Sequence, residues 1–145
     1  MSSTIDQAST LHASAIQLLR TVRADDPRSG LSPARLSALS VVIYAGPLSL
    51  SELARLEQAS RPGMSQLVSA LEKDGLVRRS ADPEDGRAVL IQATRAGKRR
   101  LEAARRRRLE RLTALLEKMS PADRAALDQG LAGLARAFSV PSGTG

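Results

Sequence analysis

At 145 residues the chain is one domain's worth of material, and with Tyr44 and Phe138 its only aromatic side chains its core must come from Leu, Val, Ile, Ala and Met. It has no cysteine and a single histidine, His12, which excludes disulfides, thiol redox switches and clustered metal ligands, so no cofactor and no metal is expected. The net charge of +7 suits a polyanionic partner; residues 95–111, with nine basic side chains against two acidic ones, carry all of it, and an arginine-rich solvated helix face accounts for it equally. No run approaches the length of a membrane span and the start lacks a charged segment followed by an apolar one, so the expectation is a cytoplasmic protein with no membrane partner.

Apolar residues at Ile5, Ala8, Leu11, Ala15, Ile16, Leu19 and Val22 recur at helical spacing and predict a first helix, bounded by a polar loop at residues 25–30. Ser32 and Pro33 restart a helix as cap and first helical residue, with Leu36, Leu39 and Ile43 as its stripe and Gly46-Pro47 as its stop. Ser49 with Glu52 three residues later is a capping box that opens a short helix through Leu56. Ser60 caps the next helix, and small Ala54 suits the crossing point of a helix-turn-helix. Strand-like runs at residues 76–79 and 87–93 flank a turn at residues 80–86 and predict a basic hairpin. A long helix over residues 95–119 follows. Ser120 then caps a last helix bearing Leu127, Leu131, Leu134 and Phe138, and Pro141 with the glycines after it predicts a frayed tail. The first and last helices carry apolar stripes beyond what the central module needs, and a second copy of the chain is the simplest cover for them.

The order helix, turn, helix, hairpin is the pattern of a winged helix-turn-helix, a DNA-binding unit. In the helix after Ser60, Met64, Leu67, Val68 and Leu71 point inward at i, i+3, i+4 and i+7. Arg61, Pro62, Gly63, Ser65, Gln66 and Ser69 are left outward near the end that a recognition helix presents to base edges. Gln66 has the geometry for adenine, Arg61 for guanine or phosphate, and Ser65 for either, while Pro62 and Gly63 keep the surface slim. An ordinary amphipathic surface helix would show the same stripe. Beside it, Arg78, Arg79 and Arg87 flank the turn, where an arginine can enter a narrow minor groove. Asp85, two residues before Arg87, is placed to fix that side chain by a charge-assisted hydrogen bond. A plain acidic turn is the other reading of this segment.

The stretch Leu67-Val68-Ser69-Ala70-Leu71-Glu72-Lys73-Asp74-Gly75-Leu76-Val77, followed by Asp82-Pro83-Glu84-Asp85-Gly86-Arg87, closely resembles the MarR family of bacterial transcription regulators, and the helix order on both sides extends the likeness to nearly the whole chain. The resemblance implies a mainly α fold with a small β-hairpin wing. Residues 1–145 would form a single domain, with a winged helix-turn-helix module over residues 32–94 and an α-helical dimerisation region over residues 5–24 and 95–138. It also implies a homodimer with interlocking first and last helices, reading double-stranded DNA at a pseudo-palindromic operator in the bacterial cytoplasm, on the nucleoid. Arg61, Pro62, Ser65 and Gln66 fall where the family reads the major groove, Arg87 on the wing arginine and Asp85 on its partner. Gly63 departs from the hydroxyl residue common at that place.

In the long helix, 100° per residue puts Arg105 and Arg108 on the face of Leu101, Leu112, Leu116 and Met119. The family often holds an effector, in many cases an aromatic acid, where this helix meets the DNA-binding module. Arg105 and Arg108 are therefore candidate ligands for a small anionic or aromatic effector or an acidic partner chain; the other reading is a wet cleft with packed stems and solvated heads. His12 and Tyr44 are assigned no site. The expected function is a homodimeric repressor released by a small molecule. An architectural DNA-binding protein or an interaction module is the alternative. An enzyme is not expected, since the chain offers no cysteine nucleophile, no Ser-His-Asp set and no phosphate-binding glycine loop.

Overall fold

The computed structural model describes residues 1–139, so the tail expected from Pro141 onward lies outside the described residues. It has six helices and three strands: α1 (Thr4–Arg23), a 3-10 turn (Asp26–Ser29), α2 (Pro33–Ala45), β1 (Leu48–Ser49), α3 (Leu50–Leu56), α4 (Arg61–Lys73), β2 (Val77–Ala81), β3 (Val89–Ala93), α5 (Arg95–Leu116) and α6 (Pro121–Ser139). They divide into two compact units, Met1–Leu109 and a second beginning at Glu110, with the boundary inside α5.

The core of the first unit is built by α2, α3, α4 and the sheet. Leu39, Leu53, Met64, Val68, Leu71, Leu76 and Ile91 are its fully buried large side chains. Each contributes about 1.5–3 kcal/mol by leaving water, which is why so small an element as α3 holds its place. α2 buries Leu36, Ala38, Leu39 and Val42. Ile43, expected in the stripe, is only half-buried and packs at the edge of this core. The difference is a rotation of the apolar face by one residue, which spacing alone does not resolve when Val42 and Ile43 are adjacent. Leu67 is likewise half-buried, while Met64, Val68 and Leu71 are sealed.

The caps form as the sequence dictates. Ser32, Ser49 and Ser60 each accept a hydrogen bond from the backbone amide three residues on, and the Glu52 carboxylate in turn accepts one from the Ser49 amide at 2.9 Å. Ser49 has a second role. With Leu48 it forms a short strand antiparallel to β3, in register Leu48↔Ile91 and Ser49↔Leu90, so the hairpin is the larger part of a three-stranded sheet of order β1-β3-β2. Two residues show no alternation, so periodicity could not reveal this strand. Gly75, at φ +72°, turns the chain from α4 into β2, a conformation that side chains with a Cβ resist.

Thr94 joins the hairpin to α5. Its hydroxyl donates to the Gly75 carbonyl at 2.6 Å and accepts from the Gly97 amide at 3.1 Å, capping the helix. Gly97 lies so close to the Leu76 carbonyl that a Cβ there would collide with it. Leu101 and Ala104 continue the buried side of α5. The helix ends at Leu116 rather than Met119, because the Lys118 and Met119 amides bond three residues back and tighten into a turn.

The polar loop expected at residues 25–30 is structured. Asp26 and Ser29 are buried within its 3-10 turn. Asp26 accepts from both Nε (2.9 Å) and Nη2 (2.7 Å) of Arg108, and the Ser29 carbonyl accepts from Arg100 at 2.7 Å. This bond to Asp26 holds the Arg108 guanidinium above its already high pKa.

α1 forms its helix with a capping box between Ser3 and Asp6, yet buries none of its residues among those described. In the second unit, Ser120 caps α6 through the Asp123 amide at 3.1 Å, and Leu131 and Phe138 remain 53% and 85% exposed.

Candidate nucleic-acid interface

α3 and α4 meet at buried Ala54, whose carbonyl accepts the Ala59 amide at 2.9 Å, and the turn between them passes through Gln58 at φ +53°. α4 is thereby fixed with its apolar stripe down. Arg61, Pro62, Gly63, Gln66 and Ser69 are exposed, Ser65 is half-buried, and Ser60 at the cap is exposed as well. The amphipathic division expected for this helix is present, with every small or polar residue named for it outside the seal. Gly63 has a local role besides slimness. Its amide donates to Ser60 Oγ at 3.1 Å, and a Cβ there would stand 2.9 Å from that oxygen.

The hairpin separates the basic residues that the sequence grouped together. In register, Arg79 faces Ile91 and Arg78 faces Gln92, so the two arginines leave opposite faces of the sheet. Arg79 turns to α4, where Nη2 donates to Ser69 Oγ at 3.1 Å and Nε lies 3.6 Å from Glu72. Sequence reasoning placed Arg79 and Ser69 as separate contacts of a wing and a helix. The structure ties them together, a link invisible in spacing because they are ten residues apart on different elements. With Arg61 and Arg87, Arg79 lines a cleft of about 370 Å³ beside the first residues of α3. Arg61 of α4, Arg79 of β2 and Arg87 of the hairpin turn thus share one concavity, which concentrates positive potential there.

The turn at residues 82–88 is held by its own acids. Asp82 accepts from the Glu84 amide at 2.9 Å, and Asp85 from the Arg87 amide at 3.1 Å. The expected bond from Asp85 to the Arg87 guanidinium is corrected accordingly: Asp85 fixes the Arg87 backbone, since a carboxylate two residues earlier reaches the amide first in an Asx turn. The Arg87 side chain stays exposed.

Arg105 and Arg108 are not brought together around a shared ligand space. Arg105 is exposed and lies 3.6 Å from Glu102 one turn away, while Arg108 is engaged by Asp26. The sequence put Arg108 on the apolar face of α5 correctly but could not name its partner, 82 residues earlier. Among the described residues no group of three His, Asp or Glu side chains could hold a metal ion, and no helix is long and apolar enough to cross a membrane.

Known proteins share this arrangement in sequence and in fold. The sequence model of the MarR family fits residues 29–88, from the 3-10 turn to the end of the hairpin loop. A helix-turn-helix transcriptional regulator of Mycobacterium leprae is 35% identical over 103 residues, 71% of this chain and 72% of that one. One from Mycobacterium tuberculosis is 33% identical over 117 residues, covering 81% and 82%. The chain belongs to the MarR family. As a MarR protein it is a DNA-binding transcriptional regulator and not an enzyme. Solved structures share the fold: a Thermotoga maritima transcriptional regulator superposes with a TM-score of 0.82 at 24% identity, covering 94% of this chain and 99% of that one. A variant of S. aureus MepR bound to an oligodeoxyribonucleotide gives 0.69 at 18% identity, covering 92% and 98%.

Proposed function

We propose that this MarR-family chain acts as a homodimeric, sequence-specific repressor that holds a pseudo-palindromic double-stranded operator and is released by a small-molecule effector, in the bacterial cytoplasm and on the nucleoid. The observation that carries the DNA half is α4, whose buried Met64, Val68 and Leu71 leave a slim polar N-terminal half in the open beside a cleft of three arginines. In this reading residues 32–94 are the DNA-binding module, and residues 5–24 and 95–138 the dimerisation region. Arg61, Pro62, Gly63, Ser65 and Gln66 approach base edges in the major groove, with Ser60 at the cap. Arg87 enters the minor groove from the wing. Arg79 and Ser69 hold wing and helix at a fixed separation besides meeting phosphate, and Asp85 sets the backbone under Arg87. The dimer rests on exposed Ile5, Leu11, Ile16 and Leu19 of α1, a row too apolar to leave in water. Arg105 is the open candidate for an effector carboxylate, whereas one that binds Arg108 has to displace Asp26. That a protein of this fold, the MepR variant, is known bound to an oligodeoxyribonucleotide supports the docking mode.

Selection of genomic fragments by the purified protein, followed by titration of the best fragment against random DNA, tests the proposal. An enriched inverted repeat with a large specificity ratio is expected. Salt-sensitive binding without any motif would overturn it in favour of an architectural role. Gln66→Ala should cost about 1–3 kcal/mol at the base it reads and relax preference there, while Arg87→Ala should weaken binding more evenly across sites.

A further inference from the structure

We infer that the outer face of α5 between Arg95 and Arg106 holds the phosphate backbone of a second DNA duplex while the recognition helix occupies the operator. The exposed residues of this stretch are Arg95, Lys98, Arg99, Glu102, Arg105 and Arg106, and every one is charged. Five are basic, and the acid, Glu102, lies 3.6 Å from Arg105. At 100° per residue Arg95, Arg99 and Arg106 fall within about 40° of one another, a row about 16 Å long at 1.5 Å per residue. The buried residues of the same stretch, Gly97, Leu101 and Ala104, occupy the docked side of the helix. Among the described residues Arg95, Lys98, Arg99 and Arg106 make no ion pair and no side-chain hydrogen bond, unlike Arg100 and Arg108. Arg78 extends the row from β2, for it lines one cleft with Arg95 and Lys98.

This arrangement works against its own helix. The first turn of α5 contains no acidic residue, and Arg95 and Lys98 stand at the end where aligned peptide dipoles leave a positive charge. Cations held in mutual repulsion, at a cost to local stability, are completed by a counter-charge from outside.

The character of the face selects the partner. None of its exposed residues is apolar or aromatic. It therefore lacks the buried anchor of a protein interface, the wedge that enters a membrane and the platform on which single-stranded bases stack. Duplex DNA asks for none of these. It offers roughly one negative charge per 1.7 Å of axis, and guanidinium forks suit its phosphate oxygens. A contact of this kind carries no sequence information.

The operator as proposed does not reach the row. Arg78 leaves the sheet on the face opposite Arg79, and the foot of α5 adjoins Thr94, which bonds Gly75 just beyond the C-terminal end of α4. The Arg61 end of that helix is about 18 Å away along the axis at 1.5 Å per residue. A chain seated on its operator is thereby able to tether another segment of DNA. The contact itself rests on α5 alone; only its being a second duplex rests on the reading of an operator held by α4.

The test is energy transfer between a donor-labelled operator duplex, held saturating, and an acceptor-labelled random duplex, in the presence of the full chain. A saturable signal that falls as salt rises is expected. Arg95→Gln/Arg99→Gln/Arg106→Gln should lower the slope of log affinity for the random duplex against log salt by about 2–3, and Arg99→Gln alone by about 1. Operator affinity should stay within about twofold and the urea midpoint should be no lower, because these side chains touch nothing in the fold. The charge-matched Arg28→Gln/Lys118→Gln/Arg124→Gln should keep the signal. Absence of transfer, or transfer that survives the α5 variants, overturns the inference. Equal loss from the charge-matched variant does so by making the effect one of net charge. A drop of tenfold or more in operator affinity from the α5 variants makes the row part of the operator contact. Displacement of the random duplex by poly-glutamate at lower charge concentration makes the partner an acidic protein. If genomic selection yields no operator, the α5 variants still have to lower the salt slope on random duplex alone, so the sequence-specific reading and this inference fail separately.

Discussion

α1 and α2 lie in the same unit and are both regular helices with apolar residues along one side, yet they end in opposite states. In α2, Leu36, Leu39 and Val42 are 0–2% exposed; in α1, Ile5, Leu11, Ile16 and Leu19 are 45–75% exposed. The α2 face meets α4 and β3 within the chain, and the α1 face among the described residues is not sealed by anything. A periodic stripe fixes which side of a helix is to be covered. What covers it is a separate matter, decided within the chain for α2 and, in the reading proposed above, by a second copy for α1.

Truncation should separate the two helices by the largest margin. Leu39→Ala removes a fully buried side chain and should cost about 2–5 kcal/mol in urea unfolding, at any protein concentration. Leu11→Ala should cost within about 0.5 kcal/mol for the monomeric chain and should instead raise the concentration at which sedimentation shows dimers. An equal loss from Leu11→Ala at concentrations where only monomer is present would break the distinction between the helices.

The same contrast explains how much the sequence disclosed. The caps at Ser32, Ser49 and Ser60, the inward row of α4 and the hairpin were legible because each depends on residues within a turn of one another. β1 was not, since two residues carry no period. Nor were the contacts that tie elements together. Arg79 reaches Ser69 and Glu72 across the gap between hairpin and helix, and Arg108 reaches Asp26 from the far end of the unit. Charge placed Arg108 on an apolar face as an anomaly worth a site; only the fold shows that the anion it meets is already in the chain. Among the candidate DNA contacts, the outward set on α4 was readable from periodicity, whereas the division of Arg78 from Arg79 needed the strand register.

A second contrast sits within α5, whose first half docks on the module by close backbone approach and whose next turn docks by charge. Gly97→Ala drives a methyl group into the Leu76 carbonyl and should cost about 1–3 kcal/mol, read as a lower urea midpoint with unchanged slope. Asp26→Asn keeps the shape of the 3-10 turn but removes the charge opposite Arg108. Asp26 is nearly sealed while the Arg108 side chain is 36% exposed, so water screens part of the loss and about 1–2 kcal/mol is expected. Because α5 is held through Gly97 as well, Asp26→Asn should leave the hairpin amides protected from exchange and loosen those of residues 26–31. Loss of protection throughout the unit would make the pair a keystone of the core.

The smallest effect should appear on α1, and acid isolates it. The Asp6 carboxyl is held below its usual value of 3.8 by the Ser3 hydroxyl and amide, which bond the charged form. A carboxyl lowered in the folded state gives its stabilisation in full above 3.8, and the contribution fades as pH falls below that value through the folded one. Asp6 is fully exposed, so what fades is the first turn of α1 rather than the unit. Amide exchange at residues 4–8 should quicken in that window while Leu39 and Leu53 stay protected. Simultaneous loss of protection at both places would mean that α1, bare as it is, supports the core it does not enter.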